Sequence, residues 1–135
     1  SADMVALGAL GAITERGLDP RNMIICTDDC HSGTLVHEGH MNRAVRHAIA
    51  CGCDPLIALQ MATINTATHF GLEREIGQIA PGRRADMIVT SDLRDLPIDC
   101  VYARGVKVAK GGVCLAVCPH LGLPIRGTRC IWARP

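Results

Sequence analysis

Apolar residues in the first half of the chain recur every three or four positions, which is the spacing of one helix face. This period predicts a helix over residues 2–16 that ends at Gly17, where glycine favours a left-handed C-terminal stop. A second helix is predicted from the apolar face of Met41, Val45, Ala48 and Ile49, and it ends near Cys51 and Gly52.

Two further helices are predicted from end signals. Asp54 followed by Pro55 is typical of an N-cap and a first helical position. A short helix is then expected to restart near Asn65 and to stop at Gly71. Between the first and second predicted helices, residues 23–27 form a continuous apolar run, which predicts a strand buried on both faces. The polar residues 28–34 are predicted to form a loop.

The pattern changes after residue 75 from helical spacing to alternation. Residues 85–90 predict a strand, and residues 98–103 and 106–109 alternate around Arg104-Gly105 as a β-hairpin does. We therefore divide the chain into three parts: a βα segment over 1–76, strands of a second domain over 77–112, and a divergent tail over 113–135.

Composition limits what such a chain does. It has 135 residues, with 14 Lys+Arg against 13 Asp+Glu and a formal charge of +1. This balance argues against nucleic-acid binding, which requires a clustered positive excess. No apolar run reaches the roughly 18–20 residues needed to span a bilayer, so we expect a soluble, cytoplasmic protein. A complete (β/α)8 barrel typically needs about 250 residues, which exceeds this length.

The chain contains eight cysteines, and their spacing indicates reduced thiols rather than a disulfide framework. Three of them, Cys26, Cys51 and Cys100, lie in apolar segments, where a thiol is expected to behave as a small hydrophobic group. The spacings that suggest metal ligation do not match those of zinc fingers or ribbons. These clusters are Cys26-Cys30-His31, Cys51-Cys53 and Cys114-Cys118-His120.

The most informative chemistry lies at the end of the run over residues 23–27. Asp28 and Asp29 follow it directly, and in α/β proteins catalytic groups collect at this edge of a sheet. Beside a divalent cation, a carboxylate serves both as a ligand and as a proton acceptor. Acidic residues also cap ordinary loops, so this alternative stays open. His31 lies three residues after Asp28 and is a candidate for lining the same site.

A second cluster contains three histidines. His37 and His40 are three residues apart, which differs from the four-residue spacing of the zinc-protease motif. His40 and His47 are seven apart, so on a helix they would share a face and meet one partner. The chain contains neither a glycine-rich phosphate loop nor a nucleophile elbow.

Four stretches together resemble the C-terminal part of the amidohydrolase superfamily, and within it the adenine deaminases. The resemblance extends over roughly residues 1–112. The four stretches are Ile25-Cys26-Thr27-Asp28-Asp29, Glu38-Gly39-His40-Met41, Met61-Ala62-Thr63-Ile64-Asn65 and Ile76-Gly77-Gln78-Ile79-Ala80-Pro81-Gly82-Arg83-Arg84-Ala85-Asp86. The last of these indicates only the wider superfamily, and the first three favour adenine deaminase.

The resemblance implies an α/β fold, namely the C-terminal portion of a metal-dependent TIM-type barrel followed by part of a small β-sandwich domain. It implies that Asp28 is a metal ligand and catalytic, and that Asp29 is catalytic or contacts the substrate. His31 and His40 are expected to line the site. The implied cofactor is a divalent metal, manganese or iron rather than zinc. The implied substrate is adenine, hydrolysed to hypoxanthine and ammonia by an enzyme that forms a homo-oligomer when complete.

Two alternatives remain open. A relative of dihydroorotase or hydantoinase would hydrolyse a cyclic amide instead, and a non-catalytic fragment would serve only structure or interaction. A defined metal site usually needs about three or more protein ligands. We therefore expect this chain to be inactive when isolated.

Overall fold

The computed structural model describes residues 10–27 and 29–115. Its first part is helical. Residues 10–14 are helical, and a 3-10 turn follows at Pro20–Asn22. The four helices that come next are α1 (Ser32–His37), α2 (Met41–Ala50), α3 (Pro55–Ala62) and α4 (Ile64–His69).

The predicted helix ends are confirmed where the structure describes them. Gly17 and Gly71 adopt left-handed φ angles of 64° and 69°, which a glycine reaches without a side-chain clash. The Asp54 carboxylate accepts hydrogen bonds from the backbone N–H groups of Leu56 and Ile57, at 2.9 and 3.3 Å. It therefore caps α3 as predicted.

One helix was not predicted. Residues 28–34 were expected to form a loop, but Ser32–His37 is α1. The helix is held by local backbone hydrogen bonds, for example from the Leu35 N–H to the His31 carbonyl at 3.1 Å. Its short polar sequence buries no residue, so it carries no apolar period that sequence analysis would detect.

The strand predicted over residues 23–27 is wrong as a paired, doubly buried element. The segment is not paired with any strand in the described part of the chain. Met23 and Ile25 pack against the core, whereas Ile24 is 38% exposed and Cys26 is exposed as well. The segment is thus covered on one side only, because α3 and α4 pack there and no described residue covers the other side.

A four-stranded antiparallel sheet forms the second part, with the strands in chain order. Arg104 and Gly105, with φ angles of 50° and 80°, make the tight turn between its second and third strands, so the predicted hairpin is confirmed. The strands are β1 (Met87–Thr90), β2 (Ile98–Ala103), β3 (Val106–Lys110) and β4 (Val113–Cys114).

Helices and sheet meet through an apolar interface. Leu96, from the β1–β2 connection, is 2% exposed and belongs to the same buried cluster as Val45, Ala58 and Met61. A cavity of about 530 Å³ with almost wholly apolar walls lies between α2, α3 and the strands. The mixture of helices and strands agrees with the α/β class. No helix in residues 10–27 and 29–115 is long and apolar enough to cross a membrane.

The cysteines differ from the expectation in one respect. Cys26 is exposed and Cys51 and Cys100 are half-buried, while Cys53 is the thiol that is 2% exposed in the core. Burial raises the pKa of the Cys53 thiol, and the neighbouring Asp54 carboxylate raises it further. Cys53 therefore acts as the small hydrophobic group that sequence analysis assigned to other positions.

Candidate functional site

The extended segment over residues 23–27 is held by the turn between α3 and α4. The Asn65 side-chain amide donates two hydrogen bonds, to the carbonyls of Pro20 at 2.8 Å and Met23 at 3.0 Å. The Ile25 N–H donates to the Met61 carbonyl at 3.2 Å. Residues that lie about 40 positions apart in sequence thus fix the backbone of the segment.

The far end of the segment has a separate tie. Thr27 Oγ1 lies 2.9 Å from His40 Nε2, and both side chains are partly buried. The hydroxyl donates to a neutral imidazole nitrogen or accepts from a protonated one, according to the tautomer. This bond connects the last described residue before Asp28 to the start of α2.

The loop that carries His40 requires a glycine. Gly39 adopts a φ of 100°, and a Cβ placed there would lie 2.5 Å from Asn42 Oδ1. That same oxygen accepts a hydrogen bond from the His40 N–H at 3.0 Å. Glycine therefore allows the Asn42 side chain to approach the loop and hold the His40 backbone.

Two arginines of α2 tie the other end of this loop. Arg46 Nη2 donates to the Glu38 carbonyl at 3.0 Å, and Arg43 forms an exposed ion pair with the Glu38 carboxylate at 3.6 Å. Such an exposed pair contributes little stability by itself. Together with Asn42, these contacts hold the loop over 38–40 in one conformation relative to α2.

The structure places the predicted site residues unequally. Asp28 lies outside the described residues. Asp29 is exposed, and His31 is exposed at the residue before α1, where its ring does not cap the helix. His40 is half-buried and reaches Thr27. Of the predicted site residues that are described, His40 is the one that holds the extended segment.

The prediction that His40 and His47 meet one partner is wrong. His40 is the N-cap of α2 and contacts Thr27, whereas the His47 ring lies 3.8 Å from the Cys51 sulfur at the other end of the helix. The reason is that His40 lies outside the helix proper, with φ and ψ of −126° and −110°, so helical spacing does not govern its direction.

No group of three or more His, Cys, Asp or Glu residues that could hold a metal ion occurs among residues 10–27 and 29–115. Cys118 and His120 of the third cysteine cluster lie outside the described residues, as does Asp28. The described side chains thus do not make up a metal ligand set by themselves.

The segment around Gly77, which leads into the sheet, packs against α4. Gly77, with a φ of 95°, packs so closely on α4 that an added Cβ would lie 2.7 Å from Ala67 Cβ and 3.0 Å from Ile64 Cα. Shortly after it, the Arg84 N–H donates to the Glu75 carbonyl at 2.8 Å. The segment that precedes β1 is therefore positioned by backbone contact with α4.

Sequence analysis missed the roles of Thr27 and Asn65 as binding partners within the fold. The sequence indicates Asn65 as a helix start and as part of a family-like stretch, but not as the donor of hydrogen bonds to Pro20 and Met23. Thr27 carried no signal of its own, because its partner His40 lies 13 residues away across a polar stretch.

Comparison with known proteins places this geometry in a family. The model of the amidohydrolase family matches residues 7–108. The chain is 83% identical over 113 residues to adenine deaminase 1 of Jannaschia sp. (strain CCS1) and 78% identical to the adenine deaminase of Roseobacter denitrificans. Each match covers 84% of this chain but 19% of the relative, so the chain spans about a fifth of the length of these proteins.

Among solved structures, an amidohydrolase from Thermotoga maritima MSB8 aligns with 78% of this chain and 35% of its own, at a TM-score of 0.47 and 21% identity. The family match extends over about three quarters of the chain and includes the extended segment, the loop over 38–40 and the turn that holds Asn65. The chain belongs to the amidohydrolase family.

Proposed function

We propose that this chain is the C-terminal part of an adenine deaminase, which hydrolyses adenine to hypoxanthine and ammonia in purine salvage. The observation that carries the proposal is the 83% and 78% identity to proteins named adenine deaminase. The reaction adds water at the ring carbon that bears the amino group and releases that group as ammonia.

Within this proposal, residues 1–76 are the last βα portion of a TIM-type barrel, and residues 77–112 belong to a small β-sandwich domain. The one-sided burial of residues 23–27 supports the first assignment. Ile24 and Cys26 are exposed, as expected of an extended segment whose outer side would be covered by the rest of a barrel. Residues 113–135 are the divergent tail, of which Val113–Cys114 pairs with β3.

The family implies a divalent metal. A bound divalent metal supplies Lewis acidity that lowers the pKa of a coordinated water. We propose Asp28 as a ligand and as the carboxylate that accepts a proton from the attacking water, on the strength of the resemblance. The described side chains do not form a ligand set by themselves.

On the strength of the same resemblance, the proposed metal is manganese or iron rather than zinc. Asp29 would contact the substrate or orient Asp28, and His31 would line the site. Cys26, Cys30, Cys51, Cys53 and Cys100 are free thiols, which fits a cytoplasmic location. We also propose that the complete enzyme is a homo-oligomer.

The test uses the complete enzyme that contains this segment, assayed with adenine, dihydroorotate and hydantoin. We expect adenine to lose its ultraviolet absorption with release of ammonia, while the cyclic amides remain intact. Asp28→Asn should abolish turnover, and Asp92→Asn, at an exposed position of the connection between β1 and β2, is the matched control. Turnover of a cyclic amide in place of adenine, or near-normal turnover by Asp28→Asn, would contradict the proposal.

We expect the isolated 135-residue chain to be inactive. The observation behind this expectation is that its described residues hold no metal cluster. The measurement is adenine turnover by the purified chain with and without added manganese. Metal-dependent turnover would show that the chain itself completes the site.

A further inference from the structure

We infer that His40 is a positioning residue, whose imidazole fixes Thr27 and thereby the end of the extended segment that leads into Asp28. The inference rests on the proposed function. It assigns His40 a role in holding the segment in place of the site-lining role expected from the resemblance.

The side chains of Thr27 and His40 form a direct hydrogen bond. Thr27 Oγ1 and His40 Nε2 lie 2.9 Å apart, between two partly buried side chains. Threonine is branched at Cβ, so its χ1 angle has few accessible values. A hydrogen bond to Oγ1 therefore restrains the backbone at residue 27 and the side chain together. Asp28 is the next residue in the sequence, so the restraint acts directly before the carboxylate that we propose as a metal ligand.

His40 is itself held in place by contacts of its loop with α2. Its backbone N–H is bound by Asn42 Oδ1, and Gly39 makes room for that contact. The preceding Glu38 carbonyl is bound by Arg46 from the second turn of α2. The imidazole thus projects from a loop that is fixed to a ten-residue helix, which makes it a rigid support.

The rest of the extended segment is already held by other hydrogen bonds. Asn65 and Met61 hold the backbone at Pro20, Met23 and Ile25. Beyond Ile25, the contact between Thr27 and His40 is the next tie along the segment. Without it, Thr27 would lose its side-chain restraint directly before the residue that we propose as the catalytic carboxylate.

A displacement of about 1 Å at a reacting group costs roughly 100-fold in rate. Because the restraint acts on the proton-accepting carboxylate and not on the adenine ring, we expect kcat to change and KM to stay close to its original value.

The kinetic test uses the complete enzyme that contains this segment. Thr27→Val keeps the shape and removes the hydroxyl, and we expect it to lower kcat about 10- to 100-fold with KM changed less than about 2-fold. Thr27→Ser keeps the hydroxyl and should restore kcat to within about 3-fold. His40→Phe should match Thr27→Val, and the double variant should lose no more than either alone. His47→Phe, at the other end of α2, is the control.

Two kinetic results would overturn the inference. A large loss in His40→Phe with normal kcat in Thr27→Val would mean that His40 acts on the substrate directly. Multiplying losses in the double variant would mean that the two residues act independently. Circular dichroism of each variant identifies any that does not fold, and Thr27→Ser then decides the case.

A spectroscopic measurement separates this inference from the proposed function. In the 135-residue chain labelled with ¹⁵N-histidine, Thr27→Val should shift the His40 Nε2 resonance and leave that of His47 unchanged. If the complete enzyme does not deaminate adenine but this shift is observed, the proposed function fails and the contact stands. An unchanged His40 resonance overturns the inference whatever the enzyme's substrate.

Discussion

The extended segment over 23–27 and the β2–β3 hairpin are both short stretches of extended backbone, yet they are held in different ways. The hairpin is stabilised by its neighbour in sequence, through a two-residue turn at Arg104-Gly105. The segment is held by partners 13 to 45 residues away, among them His40 and Asn65. The difference teaches that the part of this chain nearest the proposed chemistry depends on long-range contacts, whereas the β2–β3 hairpin depends on a local turn.

The largest loss of stability is expected at Gly77, where a positive φ coincides with close packing against α4. Gly77→Ala and Gly82→Ala both place a side chain at a positive φ, which costs roughly 1–2 kcal/mol. Only at Gly77 does the new Cβ also meet Ala67 and the backbone of α4. We expect Gly77→Ala to lose more than about 2 kcal/mol of unfolding free energy in urea denaturation. Equal losses at both positions would show that the close packing does not matter.

Asn65→Ala should come next. It leaves two carbonyls, of Pro20 and Met23, without their donor, and we expect a loss of about 2 kcal/mol. The matched control is Thr68→Ala on the same helix, whose hydroxyl makes only a local bond to the Ile64 carbonyl. Its unfolding free energy in urea should change by less than about 0.5 kcal/mol. If the two variants lose equally, the long-range bonds are no stronger than the local one.

A smaller effect is expected at a purely local contact. Asp54→Ala removes the cap of α3 and should cost about 1 kcal/mol, measured by urea denaturation. Asp95→Ala, at an exposed position of the β1–β2 connection, is the control and should be neutral. A neutral Asp54→Ala would contradict the capping role.

The smallest effect is expected at Asp86, which anchors the hairpin turn. Its Oδ1 accepts from the Arg104 N–H at 2.8 Å, and this bond, with help from Arg84, holds the pKa of the carboxyl below its usual value. The ionised form is thus favoured by folding. Its contribution is present above the ordinary Asp pKa of about 3.9 and is lost as pH falls through the lowered pKa.

Asp86→Asn tests this assignment through unfolding free energies measured between pH 2 and 7 in steps of about one unit. The stability advantage of the original protein should be constant near neutral pH and shrink below about pH 4. It should be small throughout, because the carboxylate is exposed to solvent. An advantage that does not change with pH would contradict the role of the charge.

How much of the fold is predictable follows from the same contrast. The capping carboxylate of Asp54, the stop at Gly71 and the Arg104-Gly105 turn are local signals, and each was predicted correctly. The pairing of residues 23–27 was predicted wrongly, because an apolar run does not say which element covers it. Helix α1 is not predicted, because its six residues include only Leu35 and Val36 as large apolar side chains, which are adjacent and set no helical period.

The candidate site was predictable only in part. Sequence patterns pointed to the stretch after Thr27 and to the motif that contains His40, but not to the contact between these two residues. The reason is physical, since a side-chain hydrogen bond across 13 residues depends on how a loop is held by Asn42 and Arg46. The roles of Asp28 and Asp29 remain predictions from the resemblance.

Backbone amide hydrogen exchange of residues 23–27 tests the central claim most directly, namely that long-range contacts fix this segment. We predict that the Ile25 amide, which donates to the Met61 carbonyl, is protected from exchange. In Asn65→Ala its protection should fall while the amides of β2 and β3 keep theirs. An Ile25 amide that exchanges at the unprotected rate in the original protein, or an equal loss of protection across the sheet in Asn65→Ala, would contradict the claim.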